Sequence, residues 1–172
     1  MKKNIAVVMG GFSGEHNISI NSGTEVYKAL DKNKYNVYRI VIDKKDWYYL
    51  SDDNKTISVD KNDFSIRLNG NKVTFDLAFI IVHGDPGENG RLQGYFDMIG
   101  IRYNTCGFYT SALTFNKGYC NAVVRNSGLV NVAKSKVVYR SNPLEYSANV
   151  VADMKMPVFV KPASGGARVG MT

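Results

Sequence analysis

The sequence predicts an α/β fold with a doubly wound, mainly parallel sheet, and three patterns indicate it. The apolar run from Ile5 to Met9 leads through a glycine turn into a helical pattern. Strand, helix and strand patterns also alternate on either side of a β-rich segment. The strand runs are rich in Ile and Val, as is typical of strands covered on both faces. Together these patterns favour successive βαβ units.

Composition and charge place the chain among ordinary globular proteins. It has 172 residues, of which 44% are hydrophobic and 22% charged. The net charge of +7 is scattered, so we attribute it to solubility and expect no nucleic-acid partner. The first apolar run is too short for a signal peptide and no later run could span a bilayer, so we expect a cytoplasmic protein with no membrane partner. Cys106 and Cys120 lack metal-ligand spacing and are predicted to be buried thiols.

The first βαβ unit contains a candidate ligand site at its glycine turn. Gly10, Gly11 and Gly14 allow a tight turn at the carboxyl end of the strand, where open α/β sheets bind ligands. Glu15 stands beside this opening, just before the helix. Taken alone, the glycines could equally make only a turn, with Glu15 a solvated charge near a helix N-terminus.

A helix and a second strand, residues 35–42, complete this unit. One arc of the helix carries an apolar stripe made of Ile18, Val26, Ala29 and Leu30. A β-rich excursion from Lys45 to Val73 then decorates the main sheet, because short apolar runs alternate there with Asp- and Asn-rich turns. Its predicted strands are 47–50, 55–59, 64–68 and 72–75.

A third core strand, residues 77–82, delivers a second glycine loop, residues 83–90, to the same edge of the sheet as the first. His83 opens this loop, and by itself it would be interpreted as an ordinary loop histidine. A helix follows with one apolar face, ends at Gly100 and precedes a short strand over 101–103. The residues of that face are Leu92, Tyr95, Phe96 and Ile99.

The last third of the chain predicts two helices and two strands. A helix over residues 110–126 carries Lys117 opposite its apolar face, which consists of Ala112, Phe115, Tyr119 and Val123. A strand is expected over 132–139 from its alternating pattern. Asn142 is the predicted N-cap of the second helix, whose buried stripe comprises Leu144, Ala148 and Val151. The second strand covers 157–162.

A glycine-rich loop follows Lys161, and such a loop can cover a polyphosphate through backbone N–H groups and a point charge. On spacing alone, Gly165 and Gly166 could also belong to a mobile tail. Residues 169–172 hold only the start of a returning strand, which could not satisfy its hydrogen-bond ladder alone. We therefore expect this sequence to be part of a longer protein.

Four motifs in this order resemble the D-alanine–D-alanine ligases, bacterial cell-wall enzymes with an ATP-grasp fold. They are Gly10–Glu15 with Ile18-Ser19; His83-Gly84 with Gly87–Gly90 and Gln93-Gly94; Ser111-Ala112 ahead of Asn116-Lys117; and Pro157–Pro162. The resemblance implies a pre-ATP-grasp, Rossmann-like domain over residues 1–111, which binds substrate. It further implies an incomplete α+β first lobe of the ATP-grasp domain over 112–172, with the second lobe missing.

The resemblance also implies a reaction for peptidoglycan synthesis. ATP phosphorylates the carboxylate of one D-alanine, and the amine of a second D-alanine attacks the acyl phosphate. Glu15, as catalytic and substrate-binding residue, would hold the ammonium group of the first D-alanine, and His83 would lie near the substrate carboxylates. The ATP phosphates would contact Lys117 and Lys161, which alone would be taken for solvated charges, and the loop containing Gly165 and Gly166.

ATP and Mg²⁺ are the implied cofactors. The family's magnesium ligands lie in the missing lobe, so no metal site is assigned to these residues. The resemblance leaves a homodimer open, and we expect the chain alone to be inactive as a ligase.

Two departures from the family pattern bear on these expectations. Ala167 and Arg168 stand where two serines are usual, which removes two hydroxyl donors near the transferred phosphoryl group. Asn89 stands where aspartate is common. An alternative is therefore a degenerate, non-catalytic module that binds a D-amino acid or a nucleotide.

Overall fold

The computed structural model describes residues 2–154 and 156–165. Within them lie, in order, β1 (Lys3–Gly10), α1 (His16–Ala29), β2 (Tyr35–Ile42), β3 (Trp47–Leu50), β4 (Thr56–Ser58), β5 (Ile66–Leu68), β6 (Asn71–Val73), β7 (Leu77–Ile80), α2 (Arg91–Ile99), β8 (Arg102–Tyr103), α3 (Phe108–Phe115), α4 (Lys117–Ser127) and α5 (Leu144–Asp153). The chain divides into two compact units, of which the first ends at Ala112 and the second begins at Leu113.

Six strands of the first unit form one sheet in the order β4-β3-β2-β1-β7-β8. Strand β1 lies between β2 and β7 and runs parallel to both, and β7 runs parallel to β8. Strands β3 and β4 add antiparallel pairs at one edge. The mainly parallel α/β sheet predicted from the sequence is confirmed.

Side chains of β1 alternate between two hydrophobic clusters, one on each face of the sheet. Ala6 and Val8 belong to the cluster that contains Phe96 of α2. Val7 and Met9 belong to the other cluster, which α1 covers. Because successive residues of a strand point to opposite faces, a continuous apolar run suits a strand with a helix on each side.

The β-rich excursion is present, with shorter strands than the apolar runs predict. Strands β3 and β4 extend the main sheet, whereas β5 and β6 form a separate hairpin. Phe64, just before β5, is fully buried and meets Trp47 and Phe96 edge to face at ring-centroid distances of 6.2 and 4.8 Å. The excursion therefore completes the core on the α2 side of the sheet.

The predicted apolar stripe of α1 is confirmed only in part, since Val26 and Leu30 pack against the cluster that contains Val7 and Met9. Ile18 is 55% exposed, and Ala29 is exposed as well. The buried residues of this helix are Ser19 and Gly23. A Cβ on Gly23 would lie only 2.7 Å from the Met9 Cβ, so α1 approaches β1 too closely for a large side chain between them. By contrast, the predicted face of α2 is confirmed: Leu92, Tyr95, Phe96 and Ile99 all belong to or pack against one cluster.

The single helix predicted over 110–126 is two helices that meet at Asn116. The backbone of Asn116 is extended, and its side-chain Oδ1 accepts hydrogen bonds from the N–H groups of Gly118 and Tyr119 at 3.0 and 3.1 Å. This is the chemistry of an N-cap, which begins α4 at Lys117. A helical apolar pattern continues across the break and therefore conceals it.

The two strands predicted over 132–139 and 157–162 are wrong, since the structure has no strand in either range. A strand needs a partner for its hydrogen-bond ladder, and among the described residues of the second unit only an isolated bridge, Asn116 to Ser164, has β pairing. The predicted returning strand over 169–172 lies outside the described residues.

The predicted N-cap and buried stripe of α5 are also wrong. Pro143 precedes the first helical residue, and the Asn142 Oδ1 instead accepts a hydrogen bond from the Tyr139 N–H at 2.7 Å. Leu144 is 89% and Val151 59% exposed, and Ala148 is exposed too. No sheet forms in the described part of this unit for the helix to cover.

Both cysteines depart from the prediction of buried thiols. Cys106 is exposed and Cys120 is half-buried. Cys106 lies in the connection between β8 and α3, where its Sγ is 3.2 Å from the Ser111 Oγ. Connections run over the surface more often than strands or helices do, so the location of Cys106 accounts for its exposure.

Candidate functional site

Two glycine loops meet at the carboxyl ends of β1 and β7. The first loop comprises residues 10–15 and the second comprises residues 83–90. The Phe12 N–H of the first loop donates to the Asp85 carbonyl of the second at 2.7 Å, and the Gly11 N–H donates to the carbonyl of Ile42 at 2.7 Å. The two loops predicted for one edge of the sheet are therefore in direct contact.

A serine hydroxyl links the two predicted substrate-binding residues. The Ser13 Oγ donates to the His83 carbonyl at 2.9 Å and accepts from the Glu15 N–H at 3.2 Å. The backbones of Glu15 and His83 thus each form a hydrogen bond with the same oxygen atom.

Glu15 is the N-cap residue of α1 and is half-buried. Its carboxylate makes no hydrogen bond or ion pair with any residue that the structure describes. The Oε2 lies 3.9 Å from the place that a Cβ on Gly84 would take, which puts the carboxylate close to the second loop. A carboxylate that has no partner among the described residues and lies beside two glycine loops is suited to bind a cation.

His83 is half-buried, and its Nε2 is buried without a hydrogen-bond partner among the described residues. A buried ring nitrogen that lacks a partner costs free energy, on the order of 1–3 kcal/mol. A ligand atom at this position would remove that cost. The strand that precedes His83 is shorter than predicted, since β7 ends at Ile80.

The second loop is held by its own acidic residues. The Glu88 Oε2 accepts from the Gly84 N–H at 2.8 Å. Asp85 pairs with the Arg91 guanidinium at 2.8 Å and accepts from the Asn89 Nδ2 at 2.7 Å. Asn89 stands where the family pattern favours aspartate, and its amide supplies a donor that a carboxylate would lack beside Asp85.

Three residues of this region carry structural roles that sequence reasoning missed: Ser13, His16 and Ser19. The His16 Nδ1 is 2.9 Å from the Gly11 carbonyl oxygen, a contact that restrains the first loop. The Ser19 Oγ accepts from the Gly10 N–H at 2.8 Å and donates to the Ile81 carbonyl at 2.7 Å, in a fully buried position. The Ser13 and Ser19 hydroxyls donate to carbonyls 70 and 62 positions away, so residue type and spacing carried no signal for those contacts, whereas the His16 contact is local.

In the second unit, Lys117 lies beside residues 163–165, which begin the glycine-rich loop. Its Nζ donates to the Gly165 carbonyl at 3.1 Å, and its backbone N–H donates to the Ala163 carbonyl at 2.7 Å. The cap at Asn116 fixes this position at the first residue of α4. Lys117 and Gly165, two of the predicted phosphate contacts, are therefore brought together.

Lys161 is exposed, and its Nζ lies 5.5 Å from the ring centroid of Phe159. This contact holds the amino group over an aromatic face rather than against Lys117 or Gly165. Gly166, Ala167 and Arg168 lie outside the described residues.

The described residues contain no group of three His, Cys, Asp or Glu side chains placed to hold a metal ion. In the part of the chain that the structure describes, no helix has both the length and the apolar character needed to cross a membrane. A shallow groove of about 320 Å³ lies between β4 and the β5–β6 hairpin. None of its lining residues belongs to either glycine loop, so the loops and not the groove form the candidate site.

Sequence comparison gives a family match over most of the first unit. A family model described as D-ala D-ala ligase N-terminus matches residues 4–106. A D-alanine–D-alanine ligase of Parabacteroides distasonis is 45% identical over 172 residues, which cover 100% of this chain and 52% of the relative. The chain thus spans about half the length of the curated relatives it matches.

Solved structures give the same picture. The VanG D-Ala:D-Ser ligase of Enterococcus faecalis superposes with a TM-score of 0.85 at 28% identity, covering 100% of this chain and 55% of the other. A D-alanine–D-alanine ligase of Bacillus anthracis complexed with ATP superposes with a TM-score of 0.63 at 25% identity, covering 95% of this chain and 48% of the other.

Proposed function

This chain belongs to the D-alanine–D-alanine ligase family, and from that premise we propose that its two glycine loops bind the first D-alanine for an ATP-dependent ligation. The observation that carries the proposal is the meeting of the two loops. The backbones of Glu15 and His83 bond one serine hydroxyl there, while the Glu15 carboxylate and the His83 Nε2 have no partner among the described residues. A zwitterionic amino acid needs an anion for its ammonium group and a donor for its carboxylate. Glu15 and His83 supply these two groups.

The chemistry of the parent reaction proceeds in two steps. A carboxylate oxygen of the first D-alanine attacks the γ-phosphorus of ATP, which forms an acyl phosphate and releases ADP. The amine of the second amino acid then attacks the carbonyl carbon, loses a proton, and phosphate departs as the peptide bond forms. Positioning and charge stabilisation account for most of the catalysis in such a transfer.

Within this reaction, Glu15 fixes the first D-alanine through its ammonium group, and His83 contacts its carboxylate. Lys117 and Lys161 neutralise phosphate charge of ATP, and the loop with Gly165 and Gly166 covers the phosphates. The second unit suits a polyanion, because it has 8 Lys and Arg against 2 Asp and Glu, while the first has 14 against 13. We assign no step to magnesium, for which the described residues offer no ligand set.

Family membership extends the proposal to the rest of the molecule. Residues 112–172 correspond to the first lobe of an ATP-grasp domain, and the parent protein serves peptidoglycan synthesis in the cytoplasm, with magnesium and as a homodimer. The 172 residues by themselves bind ligands without joining them. D-alanine-dependent release of ADP by this chain would contradict that last statement.

The test of the amino-acid site is calorimetric titration of the chain with D-alanine, with L-alanine as the stereochemical control. We expect Glu15→Gln to weaken D-alanine binding by tenfold or more, since a charge-assisted contact is lost (about 1.5–3 kcal/mol). Glu25→Gln is the matched control. Glu25 lies on the same helix, is exposed and pairs with Lys28, so this variant should bind D-alanine as the wild type does. Equal binding by both variants, or none by the wild type, would overturn the proposal.

A parallel titration with ATP tests the second unit. We expect Lys117→Gln to weaken ATP binding by about tenfold and to leave D-alanine binding unchanged. Lys134→Gln is its control, because it removes the same charge from a lysine that pairs with Asp153 at 2.9 Å. Equal losses of ATP affinity in the two variants would mean that ATP binding depends on net charge alone. D-alanine binding without ATP binding would support the alternative of a non-catalytic D-amino-acid module.

A further inference from the structure

We propose that Ser13 is a positioning residue that sets the geometry between Glu15 and His83. The inference rests on the proposed function of the two glycine loops. In this proposal Ser13 itself contacts neither the ammonium group nor the carboxylate of D-alanine. Its hydroxyl instead accepts from the Glu15 N–H at 3.2 Å and donates to the His83 carbonyl at 2.9 Å. One rotatable hydroxyl thus ties both substrate-binding residues to the same point.

The contact between Ser13 and the second loop is close. Gly84 has φ +72°, and a Cβ on it would lie 3.0 Å from both the Cβ and the Oγ of Ser13. The loops approach each other here as nearly as two backbones and one small side chain permit. A small side chain with a hydroxyl therefore fits this position.

The Ser13 hydroxyl is not the only group that joins the loops. The Phe12 N–H to Asp85 carbonyl bond links the same two segments, and the Glu88 carboxylate holds the Gly84 N–H from within the second loop. Removal of the Ser13 hydroxyl therefore leaves the fold its other connections. What it frees is the backbone carbonyl of His83 and the amide of Glu15, the two groups that orient the proposed ligand contacts.

Ser19 is the natural comparison within the same segment. Its hydroxyl also bridges the ends of β1 and β7, from the Gly10 N–H to the Ile81 carbonyl, but it is fully buried and lies beneath the loops. Its removal leaves two buried backbone groups without partners, which affects stability. Variants at the two serines therefore distinguish a positioning role from a role in stability.

The test measures D-alanine binding and thermal unfolding for three variants of the 172-residue chain. Ser13→Ala should weaken D-alanine binding by about tenfold with little change in the unfolding midpoint. Ser13→Thr keeps the hydroxyl and should restore binding to within about threefold of the wild type. Ser19→Ala should lower the midpoint by roughly 5 °C or more. Wild-type binding by Ser13→Ala would overturn the inference.

Nuclear magnetic resonance supplies a readout that does not depend on D-alanine. In Ser13→Ala we expect faster amide hydrogen exchange at Glu15 and displaced ring signals of His83, with the Gly23 amide of α1 unchanged. If the wild-type chain binds no D-alanine, the proposed function fails and these signals alone decide the role of Ser13. Unchanged exchange at Glu15 and an unchanged His83 ring would overturn it.

Discussion

The first unit, up to Ala112, and the second, from Leu113, differ in how far their apolar residues are covered. Every buried hydrophobic residue of the described chain lies between Ile5 and Phe96. In the described part of the second unit no residue is buried, and large apolar side chains such as Leu144 and Phe159 are more than 80% exposed. The first unit has a hydrophobic core on each face of a sheet, whereas residues 113–154 and 156–165 of the second form helices and no sheet.

Charge separates the two units in the same way. Lys and Arg nearly balance Asp and Glu in the first, whereas the second carries most of the net charge of +7. A near-neutral unit with a packed core suits precise placement of a small zwitterion. A basic, open unit suits a polyanion held by charge, for which fixed geometry matters less. From this comparison we propose that substrate positioning and phosphate binding draw on different parts of this sequence.

The largest expected effect comes from truncating one apolar side chain in each unit. Phe96→Ala should destabilise the first unit by about 3–5 kcal/mol, because Phe96 is fully buried and a cavity would form. Leu144→Ala, on α5, should change stability by less than about 0.5 kcal/mol. Urea unfolding followed by the fluorescence of the single Trp47, which packs among Phe64 and Tyr95, reports the first variant. Helical circular dichroism reports the second. A loss above 2 kcal/mol in Leu144→Ala would mean that α5 is covered in solution.

A smaller difference is expected between two glycines with nearly the same backbone. Gly84 has φ +72° and Gly128 has φ +68°, so an alanine at either costs about 1–2 kcal/mol in backbone strain. At Gly84 the added Cβ also meets Ser13 at 3.0 Å, whereas nothing lies within 4 Å at Gly128. We expect Gly84→Ala to bind D-alanine at least tenfold more weakly than the wild type and Gly128→Ala to bind it equally well, as measured by calorimetry.

The smallest effect concerns one exposed ion pair in each unit and its pH dependence. Lys72 donates to Asp63 and lowers the pKa of that carboxyl to about 2, and Lys134 and Lys136 lower the pKa of Asp153. Since these pKa values are lowered by folding, the pairs stabilise the protein above the unfolded value of 3.8. For Asp63 this contribution is lost as the pH falls through about 2.

Asp63→Asn and Asp153→Asn should therefore lower the urea midpoint slightly at pH 7, and the difference from wild type should vanish in strong acid. Asp46→Asn, at an exposed carboxylate without a side-chain partner among the described residues, is the control. A difference that persists well below pH 2 in Asp63→Asn would show that the effect is not one of charge.

Much of the first unit could be predicted from the sequence. A strand covered on both faces is written as a continuous apolar run, as in β1 and β2, and its glycine loop follows by chain continuity. The buried residues of α1 could not all be predicted in this way. There, close approach to β1 selects Ser19 and Gly23, which hydropathy ranks low. In the second unit, patterns at 132–139 and 157–162 suggested strands, but a strand forms only with a ladder partner.

The candidate site divides along a similar line. Glu15 and His83 are motif residues at strand ends, so their common location follows from the parallel topology. Lys117 was identified by its motif, while the helix break that places it required the Asn116 cap. Ser13 was visible only as part of a motif, since its role depends on a carbonyl 70 positions away.

The 70 positions between Ser13 and His83 also affect the order in which the protein folds. Strand β1 lies in the interior of the sheet and emerges from the ribosome well before its partner β7, which begins only at Leu77. Pairing of β1 with β2 can proceed early, whereas the contact between the glycine loops must await a long-range closure of the chain. The contact between the two loops is thus expected to form late in folding, and a nascent chain released before residue 83 would hold Glu15 without the second loop.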